Sequence, residues 1–337
     1  MIDASRTPLR SGIILAAGEG RRLRPFIHRL REDELPKQFV NFIGSRSMLE
    51  HTFCRVERLV PPEYLFTVVS RGHVAHPEVR RQLSSRPGGT VVVQPENRET
   101  GPGLLLPLMQ LYARYPDSTV VVFPSDHFIL EEDLFMSYAD LAARVVERYS
   151  SDLVLLGSEP NEAETEYGYI LPGEQNHRAP VREVVGFLEK PEPRDARELI
   201  QKGALWNTMV MAFKARTVLD LVRRLVPGLH AAFQLIKSAL GTRAEEHVVR
   251  EAYRHMEAVN FSRGILEVFP RSASRLWVLP VRGVLWSDWG SEDRVVSVLE
   301  RVGYAGRLNR PAEEKSPKIC DRQTARIRPL RCGKFKF

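Results

Sequence analysis

The residues able to do chemistry fall in a few short stretches. In the first, an apolar run from Ile13 ends at Ala16-Ala17, and Gly18-Glu19-Gly20, Arg21 and Arg22 follow. Glycine lets the backbone approach a ligand and turn its N–H groups toward it. A helix starting behind such a loop adds donors and a positive dipole end. With two arginines the stretch suits a polyphosphate, although an ordinary tight turn uses the same glycines. It is neither a dinucleotide fingerprint, which needs a third glycine, nor a P-loop. Asp126, in Phe123-Pro124-Ser125-Asp126-His127, directly follows another apolar run. It is placed either to cap the next helix or to hold Mg²⁺, which takes a carboxylate or two with phosphate oxygens and water. Asp288, before a turn in Trp286-Ser287-Asp288-Trp289-Gly290, offers the second carboxylate. Glu189-Lys190-Pro191 closes a further apolar run. It is a surface ion pair, or a hydroxyl acceptor beside a compact phosphate partner.

Strand-like and helix-like stretches alternate through the first half and position these groups. Strands are expected at 13–17, 64–70, 90–93, 119–123 and 153–157, and helices at 48–60, 77–84, 103–115 and 131–150. Such alternation argues for a mostly parallel sheet covered on both faces, with ligands at the carboxyl ends of the strands. Residues 159–214 change character: 167–171 and 181–189 read as antiparallel strands around a polar loop, 195–202 as a helix and 209–213 as a strand. The pattern is helical over 215–256, and 276–280 and 284–286 return to the sheet. Ser291 is placed to cap a last helix that Gly303 ends.

Leu35-Pro36-Lys37-Gln38-Phe39 raises the weight of the glycine loop. Together they resemble the signature of sugar-phosphate nucleotidylyltransferases, Ala-Ala-Gly-x-Gly-x-Arg-Leu-x-Pro followed by Pro-Lys. Gln-Phe after the lysine is most similar to the mannose-1-phosphate guanylyltransferases. Arg21 stands where that family usually has threonine. Pro-Ser-Asp-His and Ser-Asp-x-Gly resemble the family's two metal-binding aspartates, which implies Mg²⁺ on Asp126 and Asp288. The resemblance further implies that Glu189 holds sugar hydroxyls and Lys190 the sugar phosphate. Tyr167-Gly168-Tyr169-Ile170 resembles a family segment in which Gly168 lets the backbone approach the sugar; Glu166 replaces its usual glycine. Leu205-Trp206-Asn207 resembles one in which Asn207 binds sugar hydroxyls; a buried, satisfied asparagine is the competing reading. Gln94 and Asn97, in Gln94 to Pro102, resemble the lining of the nucleobase pocket.

The implied fold is α/β, Rossmann-like, with a central mixed β-sheet covered by helices, the nucleotide-diphospho-sugar transferase fold. The implied reaction joins an NTP, GTP by preference, to a sugar 1-phosphate, mannose 1-phosphate by preference, and releases pyrophosphate. Ala16, Ala17, Gly18, Gly20 and Arg21 would line the nucleotide, Arg22 would grip the pyrophosphate, and Lys37 would steady charge at the attacked phosphate. Another NTP with glucose 1-phosphate, or a regulatory relative that binds without turnover, are the alternatives. Both aspartates and both lysines are retained, which argues against the latter.

The chain of 337 residues carries a formal charge of +7, a balance that often means nucleic acid. Residues 306–337 alone carry that excess, so the rest is neutral and no nucleic-acid partner is expected. Residues 1–305 are expected to form the nucleotidylyltransferase domain, and 306–337 a flexible basic tail that is dispensable for catalysis. No apolar run is long enough to span a membrane, and Met1 to Ser11 lacks the apolar core of a signal peptide. Cys54, Cys320 and Cys332 are widely spaced and odd in number, which fits a reducing, cytoplasmic setting. A homo-oligomer is compatible with all of this.

Overall fold

The computed structural model describes residues 9–149, 153–177, 179–269 and 275–304; the expected tail, Cys320 and Cys332 lie outside them. In chain order the strands and helices are β1 (Arg10–Leu15), α1 (Arg24–Arg31), α2 (Met48–Val56), β2 (Leu65–Ser70), α3 (Arg71–Val74), α4 (Pro77–Leu83), β3 (Val91–Gln94), α5 (Thr100–Arg114), β4 (Thr119–Pro124), β5 (Phe128–Ile129), α6 (Glu132–Arg148) and β6 (Leu153–Ser158). There follow β7 (Gly168–Gln175), β8 (Arg182–Glu189), α7 (Pro193–Gln201), β9 (Leu205–Lys214), α8 (Ala215–Leu225), α9 (Pro227–Ala239), α10 (Glu245–His255), β10 (Leu276–Val281), β11 (Trp286–Ser287) and α11 (Glu292–Arg301).

The main sheet runs β3-β2-β1-β4-β9-β6-β10-β8-β7. Its β3-β2-β1-β4 side is parallel, whereas β9 lies antiparallel to β4, β6 and β7, and β8 pairs antiparallel with β7 and β10. The sheet is therefore mixed, as expected. β1, β2, β4 and β6 read as continuous apolar runs because both their faces are covered. Successive residues alternate faces: Ile14 joins Phe53, Phe135 and Ala139 from α2 and α6, while Ile13 joins Leu104, Leu108 and Phe233 from α5 and α9.

One expectation is corrected. Residues 284–286 do not return to the main sheet: Trp286 and Ser287 pair with Ile129 and Phe128 in a separate two-stranded ribbon. Gly283, at φ +71°, turns the chain away from β10, and Glu131 Oε2 then accepts from Leu285 N at 2.7 Å. Two other expectations are refined. The strand expected from Met209 begins at Leu205, and the long helical stretch breaks into α8, α9 and α10. Ser291 caps α11 as expected, its Oγ accepting from Arg294 N.

Candidate active site

β1 delivers the chain into the glycine loop. Three loop carbonyls are turned into the protein: Gln38 Nε2 donates to Ala16 O at 2.9 Å and Gly18 O at 2.8 Å, and Ser70 Oγ to Ala17 O at 3.3 Å. Ala16 N donates to Val68 O. Among the described residues, the backbone N–H groups of 17–22 then have no protein acceptor. Bound carbonyls beside N–H groups without a protein acceptor suit an anion nest. Gly20 sits at φ +59°, and a Cβ there would lie 3.3 Å from Lys37 N. Arg21 and Arg22, in the 3₁₀ turn that follows, are exposed. Sequence reasoning misses Gln38 as the residue that fixes the loop; its position after Lys37 in the motif is the available signal.

Lys37 is buried at the meeting point of three elements. Its Nζ lies 2.9 Å from Asp126 Oδ2 and donates to the backbone carbonyls of Asp288 at 2.8 Å and Trp289 at 3.3 Å. One lysine thus joins both candidate metal ligands. Asp126 arrives at the end of β4, where Ser125 Oγ anchors the turn on Leu15 O. Asp288 follows β11, and its Oδ1 accepts from Tyr167 OH, Arg294 Nη1 and Gly290 N at 2.9, 2.6 and 2.8 Å. Burial pushes the Asp288 carboxyl up, but Lys37 and Arg294 outweigh it and hold it below the usual range. His127, beside them, is buried, and that burial lowers its imidazole to about 4. It is neutral at pH 7, its Nδ1 accepting from Trp286 Nε1. Trp286 and Trp289 are packing residues: Trp289 stacks on Phe128, and Trp286 rests on Tyr167.

Among the described residues no group of three or more His, Cys, Asp or Glu could form a protein cage for a metal. Two carboxylates, one after β4 and one after β11, on residues that both bind Lys37, fit Mg²⁺ of the kind that completes its shell with phosphate oxygens and water.

The opposite wall is made by β7, β8 and β9. Gly168 pairs with Glu189 across β7 and β8, and a Cβ there would lie 2.6 Å from Glu189 Oε2. The glycine therefore makes room for the Glu189 carboxylate. Burial raises the Glu189 carboxyl, and Lys190 and Ser262 partly offset this. Ser262 begins a π-helical turn, an irregularity common at functional sites. Asn207 is buried; its Oδ1 accepts from Met209 N at 3.0 Å and so braces a bulge in β9. Glu166 is a further site residue that sequence reasoning misses. Its carboxylate lies 2.5 Å from Arg22 Nη1 and 3.4 Å from Lys190 Nζ, and so joins these two candidates.

Gln94 ends β3, and its buried Oε1 has no hydrogen-bond partner among the described residues. Gly103 lies beside it, and a Cβ there would sit 3.5 Å from that oxygen. Asn97 is exposed, with its Oδ1 accepting from Glu99 N. Neither makes a hydrogen bond or ion pair with the Lys37 cluster among the described residues. Five described non-glycine residues have positive φ, and four of them, Glu99, Lys190, Met209 and Trp289, lie in these segments. Strain of that kind persists where the surroundings over-determine it, as at functional sites.

The profile of the nucleotidyl transferase family matches residues 11–302. The xanthan biosynthesis protein XanB of Xanthomonas campestris is 28% identical over 295 residues, covering 86% of this chain and 60% of XanB. A mannose-1-phosphate guanylyltransferase of Klebsiella pneumoniae is 30% identical over 233 residues, 67% of this chain and 47% of the relative. The chain thus spans 60% or less of the length of these relatives. A crystal structure described as mannose-1-phosphate geranyltransferase from Thermus thermophilus superposes with a TM-score of 0.73 at 30% identity, over 87% of this chain and 79% of that one.

Proposed function

We infer the reaction from one premise: the chain belongs to the nucleotidyl transferase family. It transfers a nucleotidyl group from an NTP to a sugar 1-phosphate, giving a nucleotide-sugar and pyrophosphate. GTP and mannose 1-phosphate are the preferred pair, which the names of the guanylyltransferase relatives support. The observation that carries the reading is the loop of 17–22, whose N–H groups have no protein acceptor among the described residues and whose Gly20 lies against Lys37, the residue that binds both Asp126 and Asp288.

A phosphate oxygen of the sugar 1-phosphate attacks the α-phosphorus of the NTP, and the bond to the β-phosphate oxygen breaks as pyrophosphate leaves. The attacking oxygen is already ionised, so positioning and charge neutralisation are what the protein must supply. The loop N–H groups and Arg22 hold the β- and γ-phosphates. Asp126 and Asp288 would hold Mg²⁺, which supplies further neutralisation of the triphosphate when bound. Lys37 exchanges part of its contact with Asp126 for the attacked phosphate. Lys190 orients the incoming phosphate, and Glu189 accepts from sugar hydroxyls. Gln94 presents a buried acceptor toward the base side. The catalytic domain is assigned to 1–305, with 306–337 outside it.

The decisive measurement is pyrophosphate release from a panel of NTPs crossed with sugar 1-phosphates. Turnover of one pair well above the others supports the reading, and no release with any pair rejects it.

A further inference from the structure

Among the described residues, Glu166 is the one carboxylate that touches cations from both halves of the site. It reaches Arg22 at 2.5 Å and Lys190 at 3.4 Å through the same oxygen, Oε2. A single acceptor oxygen shared by an arginine and a lysine is the geometry a phosphate oxygen would take. The surrounding loop is held in place rather than free. Glu166 N donates to Glu164 Oε1, Glu164 Oε2 accepts from Arg294, and Tyr169 OH donates to Glu164 O. Arg294 in turn binds Asp288. Arg22 packs over Gly290, in the same turn as Asp288: a Cβ on Gly290 would lie 3.1 Å from Arg22 Nη2. The Glu166 carboxylate is thus fixed between the groups that the proposed reaction assigns to pyrophosphate and sugar phosphate.

We propose that Glu166 is a built-in stand-in for substrate phosphate, which holds Arg22 and Lys190 together in the free protein and must be displaced by a ligand. This rests on the reading of Arg22 and Lys190 as phosphate contacts. A single carboxylate charge is outcompeted by a di- or triphosphate, or by the two substrates together, and poorly by one small phosphate. Glu166 therefore selects for ligands that carry enough charge to replace both of its contacts. It also keeps two cations of like sign from repelling each other when the site is empty.

The test is calorimetric titration of the full chain with pyrophosphate and, separately, with inorganic phosphate. Both ion pairs are about half exposed, so each is worth little. Glu166→Gln and Glu166→Gly should bind pyrophosphate about three- to ten-fold more tightly than the unaltered chain, with a melting temperature lowered by no more than about a few degrees. The gain should vanish when Arg22→Ala and Lys190→Ala are also present, which a merely structural role for Glu166 would not produce. Should Glu166→Gly fail to fold, the isosteric Glu166→Gln decides alone. Equal or weaker pyrophosphate binding by Glu166→Gln, with the unaltered chain binding normally, overturns this proposal and leaves the reaction standing. If the unaltered chain binds neither pyrophosphate nor GTP, the phosphate assignments fall, and this proposal with them.

Discussion

Between β1 and α1 the candidate ligand groups are backbone N–H groups, whereas near β7, β8 and β9 they are side chains. On the first side Gln38 and Ser70 take up the carbonyls, and the N–H groups of 17–22 have no protein acceptor among the described residues. On the second side Glu189 ends β8 and Lys190 follows it at positive φ, while buried Asn207 folds back on Met209, itself at positive φ, and braces the bulge in β9. A backbone nest recognises any polyphosphate, since every nucleotide carries the same phosphates. Side chains on a strained sheet edge distinguish one sugar from another. On the proposed function, the division would give one region the shared phosphate chemistry and the other the selectivity.

The largest effect should come from the residue that joins the two regions. On the proposed metal assignment, Asp288→Asn removes a charge that neutralises the triphosphate through the metal. It should cut turnover about 100-fold or more in a protein that still folds, with a lowered melting temperature because the ion pair to Arg294 is lost. Mn²⁺ binding in the presence of GTP should weaken in parallel. Near-normal turnover in saturating Mg²⁺ would remove Asp288 from the metal site.

The next comparison is between the lysines. Lys37→Ala should mainly lower kcat, because its contact to the attacked phosphate strengthens as the reaction proceeds. Lys190→Ala should mainly raise the KM for sugar 1-phosphate, because that contact precedes reaction. Loss of a charge-assisted bond corresponds to roughly 10- to 160-fold, with exposed Lys190 at the low end. Steady-state kinetics varying each substrate separates them. A raised KM for NTP in Lys190→Ala would exchange the two halves.

Smaller effects should divide the supporting amides. Gln38→Ala strands two inward carbonyls and should cost about 1–3 kcal/mol of stability, with a raised KM for NTP alone. Asn207→Ala releases the Met209 N–H and should raise the KM for sugar 1-phosphate alone. If each variant raised both KM values equally, the two regions would not be separable.

The smallest expected effect is a pH dependence. His73, packed on Phe39 behind the glycine loop, is held below the ordinary histidine value by burial, with Glu19 opposing. The unfolded chain therefore takes up the proton first as pH falls. The contribution of a neutral His73 to stability is complete above about pH 6.5 and is lost as pH falls below it. Denaturation midpoints at pH 7.5 and 5.5 should differ less in His73→Phe than in the unaltered chain. An equal difference would assign the acid sensitivity elsewhere.

Much of the fold around the glycine loop was legible because its signals are local. β1, β4 and β6 are continuous apolar runs, and the loop is a glycine pattern directly behind the first of them. The sugar side was legible only through the family resemblance. Asn207 and Met209 form a bulge whose need is set by the register of β6, far away in sequence. Glu166 could not be read as a site residue from its own neighbours, since Arg22 and Lys190 reach it from other elements. The same limit explains 284–286, where an apolar stretch matched the main sheet but Gly283 and Glu131 diverted it.

The small ribbon of β5 and β11 has a further consequence. Ser287 pairs with Phe128, so continuing the antiparallel count sets Asp288 beside His127, next to Asp126. The ribbon is in effect a ruler that meters the gap between the two carboxylates. A slip of one residue would shift one of them by about 3.4 Å and turn it to the other face. The site is therefore sensitive to chain length near the ribbon as well as to the two carboxylates themselves. Variation that lengthens the turn at 282–285 would desynchronise the two carboxylates while leaving every strand of the main sheet paired.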